Sequence, residues 1–376
     1  MIKVLSLFSG IGAFERACCR IGLDWELVNY CEIDRWASLS YSMVNQCSES
    51  LNLRDVRTVT AETVRDQHVD LITYGFPCQD ISIAGKQQGF VNDSGESTRS
   101  GLFFEALRII KELRPRYAIA ENVKALTSQK FKTEFATVLS SLEEAGYNNY
   151  WRVLNAKDYG IPQNRERVFI VSIRRDVDEG DFQFPEKEPL MLRLRDMLEP
   201  AESVDEKYYL STEREGVRRL IAELEARYSL PAAARIGNIA KDPSREHIQD
   251  RIYDPSGLAP TLNTVGGGNL EPKITIIGQL KGGEHGRVVD PDGIGHTLAA
   301  TDYKDPLKIA EHGNTYGVRI RKLTPRECWR LMGFMDEEFD RVHGISNSQL
   351  YKQAGNSIVV NVLSALLSQL FYKELV

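Results

Sequence analysis

The sequence predicts an α/β protein built on a doubly wound, mainly parallel sheet, with a second, smaller, β-rich domain. Three observations carry this. From residue 2 to about 173, short apolar runs alternate with stretches whose apolar spacing is close to a helical turn. The first apolar run leads into a Gly-containing turn that opens a helical pattern. After Pro185 the chain becomes charged and helix-like, then Gly- and Pro-rich.

Taken in order, residues 3–8, 27–31, 69–74, 117–120, 150–154 and 168–173 read as strands. Residues 11–21, 36–45, 102–112 and 131–145 read as the helices between them. Such alternation demands crossover connections and therefore a mainly parallel sheet. Beyond it, residues 205–227 read as a charged helix, and the sequence to about residue 310 is β-like. That region contains an internal repeat: Arg251-Ile-Tyr-Asp-Pro-Ser-Gly-Leu-Ala-Pro-Thr-Leu262 is echoed, at a constant offset from 251 to 287, by Arg287-Val-Val-Asp-Pro-Asp-Gly-Ile-Gly-His-Thr-Leu298. Asp-Pro-x-Gly makes a turn and Thr-Leu resumes a strand, so each copy reads as a hairpin-like unit. Residues 357–375 form an apolar-periodic helix capped by Asn356 or Ser357. The expected division is 1–189, 190–320, 321–352 and 353–376.

Composition narrows the function classes. At 376 residues the chain can bury a large core, and no apolar stretch approaches the length of a membrane span. The N-terminus lacks a signal-peptide cleavage site, so a cytoplasmic protein is expected. None of Cys18, Cys19, Cys31, Cys47, Cys78 and Cys328 falls at a zinc-ligand or Cys-x-x-Cys spacing, so neither metal nor disulfide is indicated. A net charge of −6 is wrong for a protein that coats nucleic acid, yet leaves room for a basic cleft. Two basic runs stand out: Arg165, Arg167, Arg174 and Arg175, and Arg319, Arg321, Lys322, Arg326 and Arg330. Each is either a solvated face or part of such a cleft.

The candidate chemistry collects at strand ends. Cys78, in Gly75-Phe-Pro-Cys-Gln79, follows the run 69–74 and so sits at the carboxyl edge where open α/β sheets bind ligands. Pro77 fixes its own φ and biases Phe76 away from helix, which holds the thiol on a stiff turn. That suits a nucleophile, the alternative being a buried apolar cysteine. The turn Phe8-Ser-Gly10-Ile11-Gly12-Ala-Phe14 lets a ligand approach backbone amides, or is a plain strand-to-helix turn. Glu32 ends the second strand about 20 residues beyond that turn, placed to accept both ribose hydroxyls of an adenosine-containing cofactor. No Walker lysine motif is present, which excludes the usual ATP site. Glu121 ends a strand on the same edge as Cys78, where it could hold a proton or cap the next helix. Arg165 and Arg167, two residues apart, fall on one side of an entering strand, where two guanidinium groups can orient a carboxylate, a base carbonyl or a phosphate.

With these residues in place, the chain resembles the DNA (cytosine-5)-methyltransferases of the bacterial restriction-modification or phage type. The motifs occur in the family's order over nearly the whole length: the Phe8 loop, Glu32, Asp55, Gly75–Gln79, Glu121-Asn-Val123, Gln163-x-Arg-x-Arg167, Arg321-Lys-Leu-Thr-Pro-Arg-Glu-Cys-Trp-Arg-Leu-Met-Gly333 and Gln353-x-Gly-Asn-Ser357. Ala13 stands where many relatives have Gly, a change of one methyl.

The resemblance implies a Rossmann-like, S-adenosyl-L-methionine-dependent methyltransferase fold, with residues 190–320 as target-recognition domain, 321–352 as a DNA-facing hinge, and the terminal helix returning to the catalytic domain. It implies methyl transfer to C5 of cytosine in a short sequence of double-stranded DNA, on a flipped base, through a covalent bond from Cys78 to C6. Glu121 would serve N3, and Arg165 or Arg167 would serve O2 and the carboxylate. Cofactor contacts implied are Phe8, Gly10, Ile11, Gly12, Glu32, Ile33, Asp55, Val56, Pro77, Leu102, Asn356 and Ser357. Of these, Asp55 would take the adenine amino group. DNA contacts implied are Ser82, Lys86 and Gln87 on a mobile loop with Gly85, Gln249 as filler of the gap left by the flipped base, Arg251, Arg287 and Arg326. A monomer acting on double-stranded DNA follows; any cognate restriction endonuclease would be linked to it functionally and not as a complex. The alternatives are a tRNA cytosine-5 methyltransferase, a non-catalytic DNA-binding regulator on the same fold, and a cysteine hydrolase. The last lacks a histidine at a strand end.

Overall fold

The computed structural model describes residues 1–77, 99–228, 235–238, 251–253, 276–279, 287–289, 295–296, 298, 308–313 and 317–375. The chain forms two compact units. The first comprises Met1–Met191, Thr297–Tyr303 and Cys328–Val376, the second Leu192–His296 and Lys304–Glu327.

The first unit is organised by one six-stranded sheet. Its elements run β1 (Ile2–Leu7), α1 (Ala13–Arg20), β2 (Trp25–Cys31), α2 (Arg35–Asn45), β3 (Leu71–Tyr74), α3 (Phe103–Leu113), β4 (Tyr117–Val123), α4 (Lys132–Glu144), β5 (Tyr147–Asn155), β6 (Gln163–Asn164) and β7 (Glu166–Arg174). The strand order is β2-β1-β3-β4-β7-β5. The three pairings among β2, β1, β3 and β4 are parallel, whereas β7 lies antiparallel between β4 and β5. Strands β1, β3 and β4 are near-continuous apolar runs because helices cover both faces of a parallel sheet. The core joins Leu5, Leu7, Ile72, Ala118 and Ile170 to Phe103, Ala106 and Ile110. The last three are spaced three and four apart, one stripe of α3. Each fully buried aliphatic side chain here contributes about 1.5–3 kcal/mol over leaving it in water.

Loop chemistry fixes the helix starts that face the sheet's carboxyl edge. Gly12 caps α1 at φ 88°, and a Cβ there would stand 2.1 Å from the Asn45 side-chain nitrogen, so both conformation and space require glycine. Asp34 caps α2 by accepting from the backbone N–H groups of Trp36 and Ala37 at 2.9 and 3.0 Å.

The C-terminal expectation is corrected. In place of one helix from 357, the chain forms α8 (Asn347–Asn356), α9 (Val360–Leu370) and α10 (Tyr372–Leu375), after α6 (Pro325–Arg330) and α7 (Asp336–Asp340). Ser357 is the C-cap of α8, and the N-cap of α9 is Val359. The physical cause is Arg165, whose guanidinium takes the carbonyls of Gly355 and Ser357 at 3.0 and 2.7 Å and holds the chain open between the helices. Helix α9 packs on α1, where Arg20 donates to the Asn361 side chain and to the Gly333 carbonyl.

In the second unit α5 (Glu215–Tyr228) lays Val217, Leu220 and Leu224 against Val318 and Ile320. Its strands are β8 (Arg235–Asn238), β9 (Arg251–Tyr253), β10 (Ile276–Gln279), β11 (Arg287–Val289), β12 (Gly295–His296), β13 (Lys308–Gly313) and β14 (Gly317–Lys322). Strands β10-β11-β13-β14 form one sheet and β8-β9 a separate ribbon. Arg321 and Glu327 are both fully buried and paired at 2.8 Å. Glu327 also accepts from the backbone N–H groups of Thr324 and Glu199. Among the described residues no helix is long and apolar enough to cross a membrane.

Candidate active site

A cleft of about 940 Å³ opens at the carboxyl edge of the first unit's sheet, at the upper end of the range for small-molecule sites. It is lined by residues from the ends of β1, β2, β3 and β4, by Arg165 and Arg167, and by the segment 349–356.

On the β1–β2 side, Glu32 is held by two backbone donors, Gly10 N–H to Oε2 at 2.9 Å and Asp34 N–H to Oε1 at 2.8 Å. Each oxygen keeps lone-pair capacity toward the cleft. Burial pushes the Glu32 carboxyl upward, and the two backbone donors oppose this. Phe8, on the cleft wall, adopts φ 52°, a conformation that costs a non-glycine residue energy. Ile33 leaves a bare apolar side chain, 68% exposed, at the cleft's edge, with Val56 and Leu102 also on its walls. An acid with two free acceptor directions beside apolar walls fits a ribose joined to a flat base, so this half of the cleft suits the nucleoside part of S-adenosyl-L-methionine.

The other half holds the charges. Register pairs Glu121 with Phe169 and Val123 with Arg167 across β4 and β7, so Glu121 and Arg167 are diagonal neighbours on one face. Their side chains pair at 3.1 Å and are 12% and 17% exposed. Burial raises the Glu121 carboxyl above its usual range, and Arg167, then Arg165, oppose the rise. Glu121 overlies Gly75, where a Cβ would lie 3.5 Å from its Oε2. Asn122 Nδ2 donates to the Phe76 carbonyl at 3.0 Å, which ties this strand end to the turn that leads through Pro77 toward Cys78.

Phe8, Gly10, Ile11, Glu32, Ile33, Asp55, Val56, Pro77, Leu102, Glu121, Asn356 and both arginines therefore share one cleft. Gly12 and Ser357 are not on its walls. Gly12 is committed to the α1 cap, and Ser357 turns its hydroxyl to the Ile358 carbonyl. Asp55 faces the cleft with both oxygens already bonded by Arg57, the shortest contact being 2.6 Å. Cys78, Ser82, Gly85, Lys86, Gln87 and Gln249 lie outside the described residues, and of Arg251 and Arg287 only the backbone strands are described.

Two sequence expectations change. Arg165 and Arg167 do not act as a matched pair, because β6 ends at Asn164 and β7 begins at Glu166, which breaks the alternation between them. Arg167 meets Glu121, while Arg165 is buried and grips the backbone carbonyls of Leu298, Gly355 and Ser357. The second basic run is no open cationic face. Arg319 pairs with Glu206, Arg321 with Glu327, Arg326 with Glu199 and Arg330 with Asp336. Two of these acids, Glu206 and Glu199, lie more than a hundred residues from their arginines and are invisible as local partners. Sequence reasoning also passed over Gln163, whose side chain is fully buried and donates to the Leu331 carbonyl at 2.8 Å. Its place in the motif with Arg165 and Arg167 was the available signal.

A strand-end acid countered by an arginine in a cleft at the carboxyl edge of an open α/β sheet agrees with the methyltransferase class that comparison with known proteins establishes. The profile described as C-5 cytosine-specific DNA methylase matches residues 2–372, and the chain belongs to that family. Its relatives include the orphan methyltransferase M.SPBetaI of Bacillus phage SPbeta, 33% identical with 99% of this chain and 98% of that one covered. The type II methyltransferase M.HhaI of Haemophilus parahaemolyticus is 33% identical over 96% of this chain and 92% of its own. Among solved structures, the Entamoeba histolytica methyltransferase EhMeth aligns at a TM-score of 0.67 and 15% identity, covering 99% and 98% of the two chains. The S. pombe Dnmt2 methyltransferase aligns at 0.61 and 19%, covering 99% of each. These structures establish the fold. The protein is a DNA (cytosine-5)-methyltransferase, and its family and fold imply use of S-adenosyl-L-methionine.

Proposed function

We propose that the chain methylates C5 of cytosine within a short specific sequence of duplex DNA, on a base flipped into the cleft, with Cys78 as nucleophile. The observation that supports it most is the buried Glu121 carboxyl, opposed by Arg167 and lying over the turn toward Cys78.

Cytosine C5 is a weak nucleophile. Addition of the Cys78 thiolate at C6 makes C5 electron-rich and places charge on N3 and O2. Glu121, protonated in the manner that burial favours, donates to N3, and Arg167 both fixes Glu121 and offers a donor to O2. Bound S-adenosyl-L-methionine supplies an electrophilic methyl group, and Glu32 and the Phe8–Ile11 loop would hold its nucleoside side. Loss of the C5 proton and expulsion of Cys78 then release 5-methylcytosine and regenerate the thiolate. Cys31, which also faces the cleft, is a poor rival nucleophile, since burial and then the Glu32 and Asp55 charges push its thiol up to about 12. C6 is accessible to such an attack only outside the stack, which is why the reading includes base flipping.

In this reading residues 190–320 form the target-recognition domain, 321–352 the DNA-facing hinge and 353–376 the segment that closes the cofactor side. All the described groups of the cleft come from one unit, so the site requires no second copy, and we read the protein as a monomer.

The test is transfer of labelled methyl from S-adenosyl-L-methionine to unmethylated duplex DNA by wild type and Cys78→Ala, with the modified base located by bisulfite sequencing. Label at C5 within one short motif, lost in the variant, supports the reading. Transfer to tRNA in place of DNA, or cofactor binding with no transfer, overturns it.

A further inference from the structure

The repeated segments Arg251 to Leu262 and Arg287 to Leu298 share one sequence pattern, but their described first strands belong to different sheets. The first copy begins in β9, which runs antiparallel to β8 in a ribbon of two strands. The second begins in β11, an interior strand of the four-stranded sheet, antiparallel to β10 and parallel to β13. The copies therefore occupy unlike environments from their first residues.

Leu298, the last residue of the second copy, belongs to the first compact unit and is 2% exposed. Both of its backbone polar groups are taken. Its N–H donates to Gln163 Oε1 at 3.2 Å, and its carbonyl accepts from an Arg165 terminal nitrogen at 2.7 Å. The same guanidinium holds the Gly355 and Ser357 carbonyls, which flank Asn356 on the wall of the cleft. A guanidinium is a planar fork with fixed donor directions, so the position of one carbonyl constrains the others. Leu298 is thus, with Gly355 and Ser357, among the backbone points that set Arg165, and through it the Gly355–Asn356 wall.

We infer that the two copies have divided roles: the second, and not the first, supplies a positioning residue, Leu298, that holds Arg165 and the wall of the cofactor cleft in register. This rests on the methyl-transfer reading above for its kinetic arm only.

The experiment compares Leu298→Gly with the matched Leu262→Gly, with Leu298→Ala and Leu298→Ile as graded variants. It measures kcat and KM for duplex DNA, the Kd of S-adenosyl-L-methionine by calorimetry, and the melting midpoint. The inference expects Leu298→Gly to lower kcat at least tenfold and raise the cofactor Kd at least threefold. Its KM for DNA should stay within threefold, and Leu262→Gly should hold kcat and cofactor Kd within twofold of wild type. Leu298→Ala should fall between, and Leu298→Ile, which keeps the buried volume, should recover at least half of the lost kcat. Equal losses at 262 and 298, or unchanged cofactor Kd in Leu298→Gly and Leu298→Ala, overturn the inference. A wild-type protein that transfers no methyl to DNA defeats the functional reading instead, and the cofactor Kd series still decides the role of Leu298.

Discussion

Arg167 Nε lies 3.1 Å from Glu121 Oε1, across two antiparallel strands whose register makes the residues diagonal neighbours. The pairing opposes the effect of burial on the acid that lies over the turn toward Cys78. Burial raises the Glu121 carboxyl and Arg167 is the largest opposing influence.

Arg167→Gln removes that opposition. The pH at which the Glu121-dependent limb of the kcat profile falls should move upward, and kcat should drop by roughly 10²–10⁴-fold. A profile that keeps its wild-type limb would show that Glu121 does not govern it.

Glu32→Ala should weaken S-adenosyl-L-methionine binding by about tenfold to a hundredfold, on the order of 1.4–3 kcal/mol. The change deletes an acceptor facing the cleft and also frees the Gly10 and Asp34 N–H groups that Glu32 now satisfies. Calorimetry on the protein without DNA measures it directly, and an unchanged Kd counts against the nucleoside assignment.

Glu327→Ala should destabilise by about 3–5 kcal/mol, because it leaves the Arg321 charge buried without its partner. Urea midpoints test this. The double variant Arg321→Met with Glu327→Met should be far less damaged than either single loss, since no charge then remains buried.

Glu15 is 1% exposed, and neither carboxylate oxygen has a hydrogen-bond partner. Burial raises its carboxyl; its own backbone N–H, and then the Ser6 and Tyr41 hydroxyls, all outside hydrogen-bonding geometry, oppose the rise. A carboxyl raised in the folded state contributes its stability at low pH and loses it as pH climbs from the unfolded value through the folded one. Glu15→Met should therefore stabilise the protein by about 1–3 kcal/mol at neutral pH, with the advantage shrinking as the solution is acidified. Melting midpoints of the two proteins across that range provide the check, and parallel curves would refute the assignment.

Much of the fold was legible because its signals are local. The apolar runs at 3–8, 69–74 and 117–120 read as strands and are strands, and the Gly-containing turn after the first run opens a helix as its chemistry suggests. The break between α8 and α9 was not legible, since the group that opens it, Arg165, is distant in sequence and acts on backbone carbonyls that carry no sequence mark. For the same reason the run from Arg319 to Arg330 looked like a cationic face until the distant Glu199 and Glu206 were seen against it.

By itself the sequence determined the alternating α/β plan, the ordered motifs that place the chain among the cytosine-5 methylases, and the identity of the acids and arginines at the strand ends. Periodicity and turn chemistry act over a few residues, and a linear string records them. Only the tertiary structure decided which arginine meets Glu121, which clamps the backbone at Gly355 and Ser357, and that the second copy of the repeat ends beside Gln163. Those outcomes depend on strand register and on backbone atoms brought together from far along the chain, where the free energy of a contact depends on position in space and not on sequence distance.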